Sequence, residues 1–529
     1  MVGHRWKTSA GYPHGVDWPQ VIHLAKSLAL KLLLTLLVLT AVVLGLGRLL
    51  ATQVTDFRTD IEQWATQHLG QPLRIGSLRA GWQGITPQLV LKDVSLLSPQ
   101  DGAVVLSLSE IRLRLSLFDS LRTARLQLRE LTLSGVDILV KRRSDGSLVA
   151  AGLEQLSAGQ GDASALFLIP SRISLTDSDI YWQNLAIGAA PVHFSNVHAL
   201  LTNAGGQHSF SMTLQPPGTG NGRVQLSADI TGDLNSPAGW SGEVYIKGQQ
   251  LALAELLKYR IPEGYRFRRG QADFELWSEW KKGRMRWLGG STGLQNLELV
   301  QLSQENRVAN KILQIDRLGG NIRWQYQTDG WDLDIQDIRL ERMGLNWPNS
   351  RFSIATRFDP RGHLHIRSGA DFLRIEDIGA VIRMFPLPDP EFEQALASMR
   401  PHSDLHDLRF RYDADDQHTR WSARGTASSL FTKHWRAIPG VNNLSTRFWA
   451  NQDRGTLQLE GRDTQLRFPR LFRDPLTLQR LEGLLQWRRQ PDGGWLVDTR
   501  NLLASNRDLS TRSRLRLAFP ADPKQSLFM

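Results

Sequence analysis

From Leu73 onward, apolar residues recur at every second position, and this period constrains the fold more than any other feature of the chain. The run at 111–117, IRLRLSL, alternates apolar and polar side chains without a break. Successive side chains of a β-strand point to opposite faces of the sheet, so each such run predicts a strand with one apolar face. The sequence therefore predicts a mainly β protein made of many one-sided antiparallel strands.

Similar runs continue almost to the end of the chain, and short turns separate them. Further strands are predicted at 87–97, 126–140, 171–181, 223–230, 242–247, 271–280, 312–324, 331–340, 363–368, 407–412, 456–460, 483–488 and 513–519. Asp-Gly pairs at 101–102, 145–146, 329–330 and 492–493 indicate hairpin turns. The run at 126–140 shifts phase twice, which predicts bulges or turns. Short helices are predicted at 55–69, 252–259, 375–384, 391–399 and 429–436.

So few helices cannot cover the apolar faces of so many strands, although an apolar sheet face must be buried against something. Two arrangements remain open from the residues alone. The sheet folds on itself as closed sandwiches or barrels, or its apolar face lines an elongated groove. Regular strands without covering helices also suit a stack in which each strand contacts only its neighbours.

An apolar run at 27–47, whose only charge is Lys31, is long enough to cross a membrane. Basic residues precede the run and acidic residues follow it, which favours a cytoplasmic N-terminus. A cleaved signal peptide is the alternative, with a weak cleavage site at 50–51. The predicted anchor residues are Leu32, Leu33, Leu34, Leu36, Leu37, Val38, Leu39, Val42, Val43 and Leu44.

The chain is thus divided into a cytoplasmic tail (1–26), a transmembrane anchor (27–48), an amphipathic helix with its connector (49–72) and a long β region (73–529). Minor breaks are predicted in the β region near 250–270 and 375–400. The helix at 55–69 carries apolar residues at helical spacing, and either packs in the ordinary way or forms a lid just outside the membrane. This arrangement predicts a single-pass membrane protein with a cytoplasmic N-terminus and most of the chain on the other side of the membrane.

Composition narrows the class of partner. The 529 residues contain no cysteine, which excludes disulfides and thiolate metal sites. The net charge of +11 favours anionic partners such as phospholipid head groups. We expect no nucleic-acid partner, because the chain is predicted to be exported and its arginines are spread along strands.

No catalytic, cofactor-binding or metal-binding site is predicted, so we expect a protein that is not an enzyme. Residues 289–293, GGSTG, match G-x-S-x-G, but we expect a strand connection because no helix follows. His402 and His406 have the spacing of helical metal ligands, yet Pro401 precedes them and a loop is favoured. Asp413, Asp415 and Asp416 lack the glycine and glutamate of an EF-hand and are predicted to form a turn.

Several short motifs resemble the AsmA-like superfamily, and in particular its branch of large YhdP proteins. They are 70–76 (GQPLRIG), 80–89 (AGWQGITPQL), 91–94 (LKDV), 435–440 (WRAIPG), 468–472 (FPRLF), 475–476 (PL), 481–483 (LEG), Trp487 and 506–509 (NRDL). Their order and spacing cover most of 25–520. Members of this family are more than twice as long, so we expect the chain to be a fragment or the product of a truncated or split gene.

The resemblance implies an AsmA/chorein-like fold, in which a twisted antiparallel β-groove follows a transmembrane helix. It implies that this helix lies in the bacterial inner membrane, that most of the chain lies in the periplasm, and that the groove carries phospholipid between the inner and outer membranes. It also implies a role in outer-membrane lipid homeostasis and partners in the outer membrane or envelope. We expect acyl chains to contact Ile111, Leu113, Leu115, Leu117, Leu126, Leu128, Leu131, Leu133, Val136 and Ile138. The alternative function is an envelope assembly or scaffold protein with closed sandwiches and no lipid channel.

Overall fold

A computed structural model describes residues 58–520 of this chain, with gaps. The gaps are 70, 85, 99–100, 124–126, 145–147, 151–169, 189, 219, 234–235, 259–261, 263, 303–308, 386–389, 416–417, 437 and 470–471. The chain divides into two compact units. Unit 1 comprises Met1–Gly135 and Gly152–Ser171, and unit 2 comprises Val136–Ala151 and Arg172–Met529.

The described part of unit 1 consists of an antiparallel meander and two helices. Its elements are α1 (Arg58–Leu69), β1 (Leu73–Gln83), β2 (Thr86–Leu97), β3 (Val104–Leu115), α2 (Leu117–Thr123) and the first part of β4 (Leu128–Arg142). Strand β2 pairs with β1 on one side and β3 on the other. Ile75, Leu78 and Val94 are about 1% exposed and form its core.

Helix α1 protects the edge of β1. Ile75 N donates to Glu62 Oε1 at 2.7 Å, and Leu73 N donates to Thr66 Oγ1 at 3.2 Å. Unpaired N–H groups of an edge strand would otherwise be free to pair with another chain. The amphipathic pattern predicted at 55–69 therefore forms a packed helix from Arg58, and its first residues lie outside the described part of the chain.

Unit 2 holds the end of β4 and all later elements. The strands are β5 (Leu148–Ala150), β6 (Arg172–Asn184), β7 (Val192–Ala204), β8 (Gln207–Gln215), β9 (Arg223–Thr231), β10 (Ser241–Ala252), β11 (Tyr265–Lys281), β12 (Arg284–Leu302), β13 (Ala309–Gln327), β14 (Gly330–Arg342), β15 (Leu345–Asn346), β16 (Ser350–Phe358), β17 (Leu364–Arg374), β18 (His402–Ala414), β19 (Thr419–Thr432), β20 (Gly440–Asn451), β21 (Arg454–Arg467), β22 (Leu476–Arg489), β23 (Trp495–Ser505) and β24 (Ser510–Phe519). The helices are α3 (Leu253–Leu256), α4 (Ile375–Ile382) and α5 (Pro390–Met399), with 3-10 turns at Leu185–Ile187 and Pro237–Gly239.

The strands from β6 to β24 pair antiparallel in chain order, so neighbours in sequence are neighbours in the sheet. The short β15 is the exception, because β14 pairs with both β15 and β16. Most neighbouring strands are joined by short connections, whereas α4 and α5 lie between β17 and β18. The mainly β, antiparallel prediction with few helices is confirmed.

The predicted turns and helices correspond in large part to these elements. Hairpin turns at 101–102, 329–330 and 492–493 are confirmed, and 145–146 lies outside the described residues. The helix at 252–259 shortens to α3, and those at 375–384 and 391–399 correspond to α4 and α5. The helix predicted at 429–436 is wrong. Here Leu430 and Thr432 continue β19, paired with Leu444 and Val441, because the sheet supplies partners that local propensity cannot reveal.

The predicted anchor at 27–48 lies outside the described residues. Within the described part of the chain, no helix is both long and apolar enough to cross a membrane.

Candidate functional site

The apolar face of unit 2 is interrupted by residues with a left-handed backbone inside its strands. Nine strand residues other than glycine have φ near +50°: Asp177, Asn196, Gln250, Asn296, Asp337, Asp407, Ser429, Asn443 and Asp463. Seven are Asp or Asn, the side chains that best tolerate this conformation. A left-handed residue in a strand is typical of a bulge, which breaks the alternation of side chains and increases the local twist.

These left-handed positions change the phase of the strand and keep its apolar residues on one face. In β21, Leu459 and Leu466 are an odd number of residues apart, which would place them on opposite faces of a regular strand. Asp463 lies between them, and both belong to one hydrophobic cluster. The regular pairing of β20 with β21 is interrupted at the same place. Asn443 and Asp463 lie between the paired residues Asn442–Gln465 on one side and Leu444–Gly461 on the other. The apolar face therefore continues across the bulge.

The residues that directly follow left-handed positions are among the most buried in the protein. Val197 and Thr464 are 0% exposed, and Ser178 is 1% exposed. Thr464 Oγ1 donates to the carbonyl oxygen of Asn443 at 2.9 Å, which satisfies its hydroxyl without water. The buried residues beside the bulges, such as Ser178, Val197 and Thr464, thus form a base of the apolar face from which water is excluded. We call this base the dry floor.

One cluster of the floor is closed by the sheet alone. Leu444, Leu459, Leu478 and Leu481 are each 4–8% exposed, and they come from three successive strands. The residues packed around them, such as Leu457 and Leu502, also come from strands. We call this group the sheet-closed cluster.

A second cluster is closed by a helix that belongs to a distant part of the chain. Leu297, Leu313 and Ile315 of β12 and β13 pack with Met384, which is 2% exposed and follows α4. Ala380 of α4 packs against the same group. We call this group the helix-closed cluster.

Polar contacts fasten α4 at this position. Asp377 is 6% exposed, and its carboxylate accepts from Arg342 Nη1 at 2.9 Å and from Trp347 Nε1 at 2.7 Å. Tyr265 Oη donates to the carbonyl oxygen of Met384 at 2.9 Å. The buried carboxylate is thus paired and hydrogen-bonded, as a buried charge must be.

Away from the floor, the apolar face is not covered by other described parts of unit 2. Large side chains on this face keep between 36% and 41% of their surface exposed: Trp280, Phe410, Trp421, Trp495 and Leu515. Trp280 also lines an apolar depression of about 260 Å³ with Ile230 and Val244. The face therefore combines a dry floor with apolar margins open to a ligand.

The predicted lining residues fall in both units. Ile111 and Leu113 pair with Leu91 and Leu89 of β2, and Leu115 ends β3. Leu117 begins α2, so the strand predicted to 117 stops two residues early, where Ser116 accepts a hydrogen bond from Asp119 N and starts the helix.

The remaining predicted residues lie in or near β4. Leu128, Leu131, Leu133, Val136 and Ile138 belong to this strand, and Leu126 lies outside the described residues. One predicted phase shift is explained by Gly135, at φ +60°, where a Cβ atom would lie 2.2 Å from Ser109 Oγ. The lining role of these residues stays a prediction.

The described residues of the polar motifs lie on β12 and on β18 or directly after it. Residues 289–293 lie inside the single strand β12, so the predicted connection is wrong. His402 and His406 lie on β18 and not in a loop, about 13 Å apart along the strand, which is too far to share a metal ion. Among the described residues, no group of three or more His, Asp or Glu side chains is arranged to hold a metal.

Asp413 is part of an ion pair and not of a metal loop. It lies at the end of β18, 2.6 Å from Arg411 Nε and 2.8 Å from His365 Nδ1. Partial burial raises the pKa of Asp413, but the hydrogen bonds from Arg411 and His365 outweigh it and hold that pKa below its usual value. After this strand, Asp415 N donates to the His418 carbonyl oxygen, and Asp416 lies outside the described residues.

Comparison with known proteins gives one match. A protein-family model described as YhdP protein matches residues 20–529 of the chain. No curated protein and no solved structure matches it.

Proposed function

The chain belongs to the YhdP family, and from this premise we propose that it conducts phospholipid acyl chains along its apolar face, between the inner and outer membranes. Membership of the family indicates a role in lipid transport in the cell envelope. The proposal adds the path, the lipid class and the inner-membrane anchor at 27–48. It also describes the protein as a conduit and not an enzyme.

One observation supports the path. Large apolar side chains of unit 2 remain more than a third exposed on the same face whose floor is dry. Leaving them in water costs about 25 cal/mol for each Å² of apolar surface. An acyl chain that covers them recovers this free energy and is itself stabilised by about 0.8 kcal/mol for each CH₂ group removed from water.

Two residues of β22 on opposite faces of the sheet offer a direct test of the path. Leu485 lies on the apolar face, opposite Leu457 and Thr499, whereas Arg488 lies on the polar face, directly opposite Arg454, and is exposed. A photoreactive amino acid at position 485 of the full chain, irradiated in cells, should crosslink phospholipid. The same amino acid at position 488 is the matched control. Equal crosslinking at both positions, or none at 485, would contradict the path and favour the scaffold alternative.

A functional test uses the first unit. Leu113→Asp combined with Leu115→Asp places two charges on the apolar face of β3, where both leucines are half-buried and a carboxylate would face acyl chains in place of water. We expect loss of bound phospholipid, measured by mass spectrometry of the purified chain, and a more permeable outer membrane. Unchanged lipid binding and permeability, in a variant still present at normal abundance, would overturn the proposal.

A further inference from the structure

The polar face of unit 2 carries three exposed arginines on three neighbouring strands. Arg409 of β18 lies directly opposite Arg424 of β19. Arg447 of β20 pairs with Thr426, two residues further along β19. All three side chains line one open depression of about 530 Å³, which Leu484 of the polar face also lines. We call these three residues the arginine triad.

The triad has no carboxylate within 4 Å among the described residues, although Asp407 lines the same depression. Three other arginines of this face are paired: Arg411 contacts Asp413, Arg480 contacts Glu482 and Arg516 contacts Asp498. Hydrogen bonds from the triad go to neutral oxygens. Arg409 Nη1 donates to the Leu408 carbonyl oxygen at 2.8 Å, and Arg447 Nη1 donates to Gln458 Oε1 at 3.3 Å.

Like charges directly opposite each other destabilise a sheet, so the Arg409–Arg424 pair carries a cost that no described ion pair offsets. The side chain of Arg409 extends instead over Gly369 on the opposite side, where a Cβ atom would lie 3.0 Å from Nη1. The depression between the arginines is thus left open. A bound anion would remove the repulsion and supply the missing acceptors.

We propose that the arginine triad binds a phosphate group. A guanidinium presents paired N–H donors in a planar fork that matches two phosphate oxygens, and several guanidiniums together neutralise a doubly charged group. The surrounding segment favours anions as well, since residues 402–519 contain 20 Arg and Lys against 13 Asp and Glu. The site lies on the opposite face from the acyl path and is independent of it.

The test measures binding calorimetrically to the full chain in uncharged detergent, at low ionic strength. The probes are inorganic phosphate, glycerol 3-phosphate, dihexanoyl phosphatidylglycerol and, as the probe without net charge, dihexanoyl phosphatidylcholine. The test variant is Arg409→Gln/Arg424→Gln. The matched control, Arg480→Gln/Arg516→Gln, removes the same charge from the same face outside the triad.

We expect the test variant to weaken binding of the anionic phosphate probes at least tenfold, because each lost guanidinium removes charge-assisted hydrogen bonds to the phosphate oxygens. The control variant should retain wild-type affinity. If glycerol 3-phosphate binds as well as phosphatidylglycerol, the site takes free phosphate groups; if only phosphatidylglycerol binds, and the test variant loses it, the site takes a lipid head group. Equal loss in both variants, no anion binding by the wild type, or unchanged binding of every anionic probe in the test variant would each overturn the proposal.

Discussion

The two hydrophobic clusters of unit 2 are closed in different ways. In the sheet-closed cluster, strands adjacent in sequence bend at Asn443 and Asp463 and bury their own leucines. In the helix-closed cluster, α4 follows β17 but packs on β12 and β13, at Leu297 and Leu313. The first closure cannot be undone without unfolding the strands. We expect the second to open while the strands stay paired, because polar bonds and the side chains of Ala380 and Met384 hold the helix.

The largest expected effect tests the sheet-closed cluster. Leu459→Ala should destabilise unit 2 by about 3 kcal/mol, since it leaves a cavity that the paired strands cannot fill. Leu484→Ala, on the polar face of the next strand, should cost less than about 0.5 kcal/mol. Urea unfolding of both variants measures the difference, and similar values for the two would show that this cluster is not a closed core.

A smaller and more local effect is expected where the helix closes the face. Asp377→Asn removes the charge that Arg342 and Trp347 contact, and should lower the local opening free energy of α4 by about 2 kcal/mol, since the pair is largely buried. Hydrogen exchange should accelerate in α4 and not in β21. The control is Asp371→Asn, the same change at an exposed residue of β17. Faster exchange throughout unit 2 would mean that the helix and sheet open together.

The smallest effect concerns the bulges themselves. Asn443→Val should lower the free energy of unfolding of unit 2 by about 1.5 kcal/mol, because a β-branched side chain is strained at φ +58°. Asn443→Gly should leave the free energy of unfolding nearly unchanged. Glycine adopts this conformation freely, and this gain offsets the loss of the hydrogen bond from Asn443 to the Arg462 carbonyl oxygen. Asn442→Val, at the neighbouring residue with ordinary backbone, is the control. If Asn442→Val and Asn443→Val lower the free energy of unfolding equally, the left-handed backbone at Asn443 does not explain the bend.

Much of the fold follows from local pattern. Alternation predicts most of the strands, Asp-Gly pairs predict three of the turns, and the phase change near Gly135 predicts a bulge that the folded strand contains. The same pattern does not predict β7, β8, β16, β19, β20 or β23, and it wrongly predicts a helix at the end of β19. The alternation of these strands is short or broken by polar residues, and pairing with neighbours stabilises them instead.

The candidate site is harder than the fold to predict from the pattern of the sequence. The clearest alternation, around Ile111 and Leu113, predicts lining residues there, but it does not predict the open margins at Trp280, Phe410 and Trp495. The phase changes are a usable signal, since Asp or Asn between two apolar alternations recurs in unit 2. The sequence alone does not reveal which of these residues take the left-handed conformation.

What the amino-acid sequence determines here is local: one apolar face per strand, short turns, and the Asx residues at which a strand can change phase. Tertiary structure decided which distant residues meet. It placed Met384 on β12 and β13, and it brought Arg409, Arg424 and Arg447 side by side. The physical reason is register, because a shift of one residue between strands moves every side chain to the other face, and only the folded sheet fixes that alignment.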